Sequence, residues 1–176
     1  MRTVTLITTG GTIEKTYDEA TGSLANRRSV VDRMLRRLRL PDVRINPVSL
    51  MQKDSLELTE TDRARIADMI QAVGGLKAAP GETTGIIILH GTDTLAETGE
   101  FLTTEIRDPR VPIILTGAMR PFEMVRSDAL QNLTEAIFAT GVLEPGVWCI
   151  AHGRALRFPG VTKDRQAGTF IKQSDG

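Results

Sequence analysis

Apolar residues along the chain form short continuous runs that alternate with longer segments of helical periodicity. The runs are rich in β-branched residues and predict five strands, at residues 4–8, 43–49, 85–89, 111–115 and 146–150. An uninterrupted run such as "GIIIL" at residues 85–89 is typical of a central strand that is covered on both faces. The pattern therefore indicates a sheet that is buried between two other layers.

Helical spacing follows most of these runs. Ser29 precedes apolar residues at i, i+3, i+4 and i+7, so it is expected to cap a helix that ends before Pro41. Thr59 and Asp62 resemble a capping box at the start of a second helix, which should end at the glycine pair 74–75. The four predicted helices span about residues 29–40, 60–73, 95–106 and 128–140.

Strands that alternate with helices predict βαβ units and a mostly parallel sheet. We therefore expect an α/β fold in which residues 1–176 form a single three-layer domain. In such a sheet a ligand binds beyond the carboxyl ends of the strands. Residues 9–12, 91–94 and 116–120 lie there, and the sequence predicts a site at this edge. Long connections at residues 13–28 and 116–127 also follow strands, and long loops are often functional.

Positive and negative charges are balanced, with 22 Lys and Arg against 22 Asp and Glu among 176 residues. This balance gives no field that would favour nucleic acid or an anionic membrane as a partner. No stretch approaches the roughly 18–20 consecutive apolar residues that span a bilayer, and the first apolar run is too short for a secretion signal. The single cysteine, Cys149, excludes an intramolecular disulfide and is expected to be an inert core thiol. We expect a cytoplasmic protein.

The turn "TTGGT" ends the first predicted strand and has two interpretations. In one, the glycines adopt positive φ in a tight turn and Thr12 caps the next segment. In the other, the glycines let a ligand approach the backbone and Thr12 offers a hydroxyl. A phosphate-binding loop is disfavoured because neither G-x-x-x-x-G-K-[ST] nor G-x-G-x-x-G occurs.

The turn "HGTDT" also has two interpretations. Asp93 or Thr94 would cap the following helix. Alternatively, Thr92 and Asp93 place a hydroxyl and a carboxylate at a strand end, where the carboxylate can anchor a substrate ammonium. His90 and His152 are interpreted as structural, and no metal site is predicted, because two isolated histidines lack metal-ligand spacing.

These segments together resemble the bacterial-type L-asparaginase family. "TTGGTI" and "HGTDTLAET" resemble its two threonine signatures, and "LTGAMRP" and "GVTK" match two further stretches in the same order. The resemblance covers essentially the whole chain. It implies a homo-oligomer, a dimer or tetramer, that hydrolyses L-asparagine to L-aspartate and ammonia with neither a metal nor an organic cofactor.

The resemblance also assigns roles to individual residues. Thr12 matches the nucleophile, and Tyr17 matches a mobile-loop tyrosine that hydrogen-bonds to it. Thr92, Asp93 and Lys163 match a hydroxyl–carboxylate–lysine triad, in which Asp93 also holds the substrate α-amino group. The expected substrate-binding residues, including a backbone carbonyl at residue 118, are Gly11, Asp54, Ser55, Gly91, Thr92, Asp93 and Ala118.

The chain departs from the family pattern in three places. Full-length members carry a second, smaller domain, so this chain resembles the short, single-domain members. In its segment "MQKDSLELT", Asp54 aligns with the family's aspartate, and Ser55 is expected to bind the substrate α-carboxylate. Lys53 is either an added partner for that carboxylate or a solvated charge. Tyr17 also lies closer to Thr12 than in the long enzymes, so the loop geometry must differ.

Two alternative functions stay open. A glutaminase, or an amidase for another small amide, would use the same chemistry, because one methylene changes discrimination by only ~1–3 kcal/mol in a simple pocket. A non-catalytic amino-acid-binding module would keep the fold but would need no nucleophile. Lys163 considered by itself would be a solvated surface charge, as most lysines are.

Overall fold

The structure, a computed structural model, describes residues 1–27 and 29–173. In chain order its strands are β1 Arg2–Gly10, β2 Thr16–Asp18, β3 Ser23–Ala25, β4 Val43–Lys53, β5 Gly75–Leu76, β6 Ala79–Pro80, β7 Gly85–Leu89, β8 Pro112–Thr116, β9 Gly146–Ala151, β10 Arg154–Arg157, β11 Val161–Asp164 and β12 Thr169–Lys172. Its α-helices are α1 Val31–Leu35, α2 Glu60–Ala72, α3 Leu95–Glu105 and α4 Ala129–Ala139.

Six strands form the central sheet in the order β10-β9-β8-β7-β1-β4. In this sheet β4, β1, β7, β8 and β9 each pair in parallel with their neighbours, and β10 pairs antiparallel with β9. Thr8, Leu89 and Thr116 lie side by side in the register of β1, β7 and β8. The predicted α/β fold with a mostly parallel sheet is confirmed, and the three polar turns leave the sheet at neighbouring points.

Alternate residues of each central strand face two separate apolar clusters. Ile86 and Ile88 pack with residues of α2 and α3 such as Ile70 and Leu102. Ile87 packs on the opposite side, in the cluster that contains residues of α1 and α4. The sheet is therefore the middle of three layers, because burying both faces of a parallel sheet requires helices on each side.

Two predicted boundaries are corrected by the structure. The first helix is α-helical only over Val31–Leu35, because Arg37 and Leu38 donate to residues three positions earlier and tighten the chain into turns. Val30, and not Ser29 as expected, takes the N-cap position, and Ser29 accepts a hydrogen bond from the N–H of Val31 at 3.3 Å. The second strand, predicted at residues 43–49, extends to Lys53, which pairs with Gly10 after a register shift in β1.

The region after residue 150 contains strands that the apolar pattern missed. β10 has mostly exposed residues, and β11 and β12 form a separate two-stranded antiparallel ribbon. The connection at residues 13–28 likewise contains the short hairpin of β2 and β3. Such short strands lack the continuous apolar run or clear alternation by which strands are recognised.

Among the described residues, no helix combines the length and apolar character needed to cross a bilayer.

Candidate active site

β1 ends in a turn whose backbone requires glycine. Gly10 and Gly11 have φ values of 98° and 78°, in the left-handed region. A Cβ on Gly10 would lie 2.5 Å from the carbonyl oxygen of Lys53, and a Cβ on Gly11 would overlap the backbone of Gly91. The end of β1 therefore lies directly against the end of β7.

Thr12 follows this contact and begins a 3₁₀ turn, Thr12–Glu14. Gly11 takes the N-cap position of the turn, and no side-chain capping hydrogen bond is made. The prediction that Thr12 caps the next segment is thus wrong. Thr12 is half-buried and follows the carboxyl end of β1, and no hydrogen bond of its hydroxyl is found among the described residues.

The turn after β7 packs against Ser55. A Cβ on Gly91 would lie 2.5 Å from both Cβ and Oγ of Ser55, which is only 2% exposed. The hydroxyl of Thr94 donates to the carbonyl of Ser55 at 2.8 Å. Thr94 occupies the N-cap position of α3 without a side-chain cap, so the capping interpretation of Asp93 or Thr94 is also wrong.

Lys163 reaches the same turn from β11. Its Nζ donates to Oγ1 of Thr92 at 2.8 Å and to Oδ1 of Asp93 at 2.9 Å. The hydrogen bond from Lys163 holds the pKa of Asp93 below its ordinary value, against a smaller opposing effect of burial. The structure thus brings together the three members of the triad that the resemblance implied. Lys163 is not a free surface charge, since its side chain is 15% exposed.

Arg165 also contacts this cluster and was not identified from the sequence. Its Nη1 donates to Oδ1 of Asp93 at 3.0 Å, so the oxygen that binds Lys163 binds a second cation. Arg165 follows β11 in the turn to β12. A single charged residue in a polar turn has no sequence signal that separates it from solvated arginines.

The segment after β8 carries Ala118 and lies beside the β7 turn. A Cβ on Gly117 would overlap the carbonyl oxygen of His90 and lie 3.3 Å from Cγ2 of Thr92. Ala118 itself is buried. The structure therefore brings the predicted amide-contacting segment next to Thr92.

Asp128, Asn132 and His152 hold this segment, and sequence reasoning gave none of them this role. Asp128 accepts from the backbone N–H groups of Met119 and Arg120 at 2.9 and 3.0 Å. Asn132 donates to the carbonyl of Gly117 at 2.9 Å. His152 Nε2 lies 2.8 Å from Asp128 Oδ2. The spacing of Asp128 and Asn132, one helical turn apart, was the available signal.

Tyr17 lies on β2 and is 59% exposed. Its backbone N–H donates to Oε2 of Glu123 at 3.0 Å, which ties the β2–β3 hairpin to the loop after β8. A Cβ on Gly22 would lie 4.0 Å from the Tyr17 hydroxyl, so the phenol extends along its own hairpin. No hydrogen bond joins Tyr17 to Thr12 among the described residues, and the expected contact is not observed.

Asp54 and Lys53 are both engaged in ion pairs. Asp54 accepts from Lys15 Nζ at 2.6 Å, and this hydrogen bond lowers its pKa. Lys53 donates to both carboxylate oxygens of Asp62, at 2.9 and 2.8 Å. Neither interpretation given for Lys53 fits this pairing. Of the three residues Lys53, Asp54 and Ser55, Ser55 is the one that packs against the turn after β7.

His90 and Cys149 have structural surroundings. His90 is fully buried between the carbonyl of Gly91, 2.8 Å from Nδ1, and the hydroxyl of Thr98, 2.9 Å from Nε2. Burial lowers the pKa of His90 to about 4, and burial raises the pKa of Cys149 to about 12. Both side chains are therefore uncharged at neutral pH.

Within the part of the chain that the structure describes, no group of three or more His, Cys, Asp or Glu side chains is arranged to hold a metal ion. The polar groups that meet at the candidate site are the Thr92 hydroxyl, the Asp93 carboxylate, the Lys163 ammonium and the Arg165 guanidinium.

The chain is similar in sequence and in fold to several known proteins. The L-asparaginase of Bacillus licheniformis is 35% identical over 136 residues, which is 77% of this chain and 40% of that protein. The thermostable L-asparaginase of Thermococcus kodakarensis superposes with a TM-score of 0.85 at 29% identity, covering 97% of this chain and 51% of that one. A glutamyl-tRNA(Gln) amidotransferase subunit from Saccharolobus islandicus is 29% identical over 76% of this chain and 29% of its own length.

The chain spans about half, or less, of the length of these relatives. The profile of the family described as "Asparaginase, N-terminal" matches residues 3–170, which is nearly the whole chain. The chain belongs to the asparaginase family.

Proposed function

We propose that this protein hydrolyses the side-chain amide of L-asparagine to L-aspartate and ammonia, with Thr12 as the nucleophile. The observation that carries the proposal is the Lys163 ammonium bound to both Thr92 and Asp93, at 2.8 and 2.9 Å. The close packing of Gly11 on Gly91 supports the proposal, because Thr12 and Thr92 each follow one of these two glycines.

In the first half of the reaction, Thr12 Oγ1 attacks the amide carbon and forms a covalent acyl-enzyme. A threonine hydroxyl is a weak nucleophile until a neighbour accepts its proton. We assign that relay to Thr92, whose hydroxyl oxygen accepts a hydrogen bond from Lys163. The proton passes to the amide nitrogen, which leaves as ammonia when the C–N bond breaks.

In the second half, water attacks the ester carbon and releases L-aspartate. The proton that water loses returns to Thr12 Oγ1 by the same relay, and the hydroxyl is restored. Backbone N–H groups beside Gly11 and Gly91 are suited to stabilise the oxyanion of each half-reaction, which usually supplies a large part of the rate enhancement.

Three groups are assigned to substrate recognition. The carboxylate of Asp93 binds the α-ammonium, and its lowered pKa keeps it ionised at neutral pH. Ser55, buried against Gly91, offers a hydroxyl to the α-carboxylate. The backbone of Ala118, next to Thr92, contacts the side-chain amide. Asp54 supports this region through Lys15.

Tyr17 is assigned to a lid formed by the β2–β3 hairpin. Closure of this hairpin would move the exposed phenol toward Thr12 and exclude water before deacylation. If Tyr17→Phe leaves kcat unchanged, Tyr17 is a lid contact without a part in proton transfer.

Hydrolysis of L-glutamine is the second candidate function. One relative is named as a glutamyl-tRNA(Gln) amidotransferase subunit, so an amide other than that of L-asparagine is the alternative substrate. The two amides differ by one methylene, and a simple pocket separates such substrates by only ~1–3 kcal/mol.

The decisive experiment compares ammonia release from L-asparagine and L-glutamine by the unmodified protein and by Thr12→Ala. We expect L-asparagine to be the better substrate and Thr12→Ala to lower kcat by at least about a thousandfold. Ligand binding should be retained, because the substitution removes one hydroxyl and leaves the glycine turn intact.

Thr104→Ala is the matched control, since Thr104 is exposed on α3 and has no assigned role. Near-normal turnover by Thr12→Ala would refute Thr12 as the nucleophile. Binding of L-asparagine with no ammonia release by the unmodified protein would instead identify an amino-acid-binding module.

A further inference from the structure

One carboxylate oxygen of Asp93 accepts hydrogen bonds from two positively charged side chains. Lys163 Nζ and Arg165 Nη1 both donate to Oδ1, at 2.9 and 3.0 Å. The Asp93 side chain is 30% exposed, so the carboxylate faces the site as well as the protein. Lys163 also binds Thr92 and is accounted for by the proposed reaction, whereas Arg165 is not.

The turn that carries Arg165 is set by hydrogen bonds, whereas the Arg165 side chain is mostly exposed. Oδ1 of Asp164 accepts from the N–H groups of Gln166 and Ala167 at 3.0 and 2.9 Å, which sets the turn between β11 and β12. The Arg165 side chain is 71% exposed, so its ion pair with Asp93 is exchangeable at low energetic cost.

The charges of this cluster do not balance for binding an ammonium alone. Lys163, Arg165 and Asp93 together carry one net positive charge. An incoming α-ammonium would approach Asp93 against the repulsion of two cations. That repulsion disappears if the ligand also brings an anion that pairs with Arg165. The α-carboxylate of an amino acid is attached to the same carbon as its ammonium, so it arrives within reach of Arg165.

We propose that Arg165 is a specificity-determining residue: it exchanges Asp93 for the α-carboxylate of the substrate and thereby selects α-amino acids. This inference rests on the proposed function for the position of the ligand. The exchange leaves Asp93 paired with Lys163 and the substrate ammonium, and Arg165 paired with the carboxylate. Guanidinium groups suit this task because they bind carboxylates through two parallel N–H donors. Ser55 supplies a neutral donor to the same carboxylate.

The test uses a reaction product and its analogue as ligands, so that it does not depend on turnover. L-Aspartate carries the α-carboxylate, and β-alanine is the same molecule without it. Isothermal titration calorimetry should show that Arg165→Gln weakens L-aspartate binding about tenfold and leaves β-alanine binding unchanged, since one charge-assisted hydrogen-bonded pair is lost. In turnover, KM for L-asparagine should rise by a similar factor while kcat changes less than about twofold.

Two control variants separate charge from turn structure. Arg165→Lys keeps the charge and should recover part of the affinity for L-aspartate. Gln166→Ala alters the same exposed turn and should leave both affinities unchanged. Equal weakening of both ligands by Arg165→Gln, or no weakening of L-aspartate, would overturn the inference.

Tighter binding of L-aspartate by Arg165→Gln would also overturn it, because Arg165 would then only compete with the ammonium for Asp93. Failure of the unmodified protein to bind L-aspartate would contradict the inference as well. Ammonia release from L-asparagine decides the proposed function separately, so the failures of the two proposals are distinguishable.

Discussion

Lys163 binds side chains that lie far away in the chain, and these contacts distinguish it from a solvated surface lysine. Thr92 and Asp93 precede it by 71 and 70 residues, yet both accept hydrogen bonds from its ammonium. A neighbouring positive charge favours the ionised form of a carboxylate, which accounts for the lowered pKa of Asp93. At this scale the candidate site is a hydroxyl and a carboxylate oriented by one lysine.

Replacement of Lys163 by methionine tests this arrangement. Lys163→Met keeps the length of the side chain and removes the donor, so kcat should fall at least about a hundredfold with the fold preserved. The pKa of Asp93 should rise toward its ordinary value of about 3.9, because the largest cause of its depression is gone. Ammonia release and a carboxyl-carbon NMR titration measure the two effects.

Lys77→Met is the control for loss of a lysine, since Lys77 pairs with Asp108 at an exposed position. An unchanged kcat in Lys163→Met would contradict the relay. An unchanged Asp93 titration would contradict the electrostatic coupling.

His90 shows how a residue next to the site can be purely structural. Arg63 Nε donates to Oγ1 of Thr98 at 3.2 Å, so this oxygen accepts from Arg63. The Thr98 hydroxyl hydrogen is then assigned to the bond with His90 Nε2, which acts as the acceptor. His90 Nδ1 then donates to the carbonyl of Gly91. With its pKa lowered to about 4 by burial, the imidazole stays neutral and holds the Gly91 turn in place.

At the scale of elements, the start of α2 is held by a capping box joined to an ion pair. Thr59 Oγ1 accepts from the N–H of Asp62 at 3.2 Å, and Asp62 accepts from the N–H of Thr59 at 3.0 Å. The predicted capping box is thus confirmed. The hydrogen bond from Lys53 is the largest cause that lowers the pKa of Asp62, to about 2. The Lys53–Asp62 ion pair therefore links the start of α2 to the end of β4, two residues before Ser55.

Asp62→Asn should destabilise the fold by about 1–2 kcal/mol at neutral pH. The folded pKa of about 2 lies below the unfolded value of about 3.9, so the stabilisation by ionised Asp62 is fully present above pH ~4. It is lost as the pH falls through about 2. Urea unfolding at several pH values should therefore show a difference between the two proteins that shrinks below pH ~4.

Asp68→Asn provides the comparison, because Asp68 lies exposed on the same helix. A cost of Asp62→Asn that is independent of pH would contradict the ion-pair explanation and leave only the lost cap.

The loop after β8 depends on three elements at once. Asp128 precedes α4, His152 follows β9, and His152 Nδ1 lies 2.9 Å from the hydroxyl of Thr169 on β12. β12 pairs with β11, so Thr169 lies opposite Asp164, next to Lys163. A single histidine thus connects the Ala118 segment with the ribbon that carries Lys163.

At the scale of the whole molecule, the homo-oligomer implied by the family resemblance stays a prediction. Phe138 and Val142 are 66% and 60% exposed, and burying such side chains against a second copy would stabilise association. Sedimentation equilibrium at micromolar concentration should give a mass of two or four chains. A single species with the mass of one chain would contradict the prediction.

Much of the architecture was predictable because burial leaves a direct pattern in the sequence. The run at residues 85–89 became β7 with unchanged bounds, and the capping box at Thr59 marked the start of α2. The turn at Gly10 and Gly11 was recognisable because both glycines adopt positive φ, which other residues rarely tolerate. The ribbon of β11 and β12 was not predicted, since its half-exposed residues carry no clear periodicity.

The sequence by itself determined a parallel sheet and the edge of that sheet where Thr12, Thr92 and Asp93 lie. Strand positions along the chain and glycine placement are local or periodic properties, and they are encoded in residue types. The family motifs already grouped Lys163 with Thr92 and Asp93. Only the tertiary structure decided that Arg165 shares one oxygen of Asp93 with Lys163, that Ser55 packs against Gly91, and that Lys53 pairs with Asp62. The partner of a charged side chain depends on where distant segments pack, and no residue pattern records that.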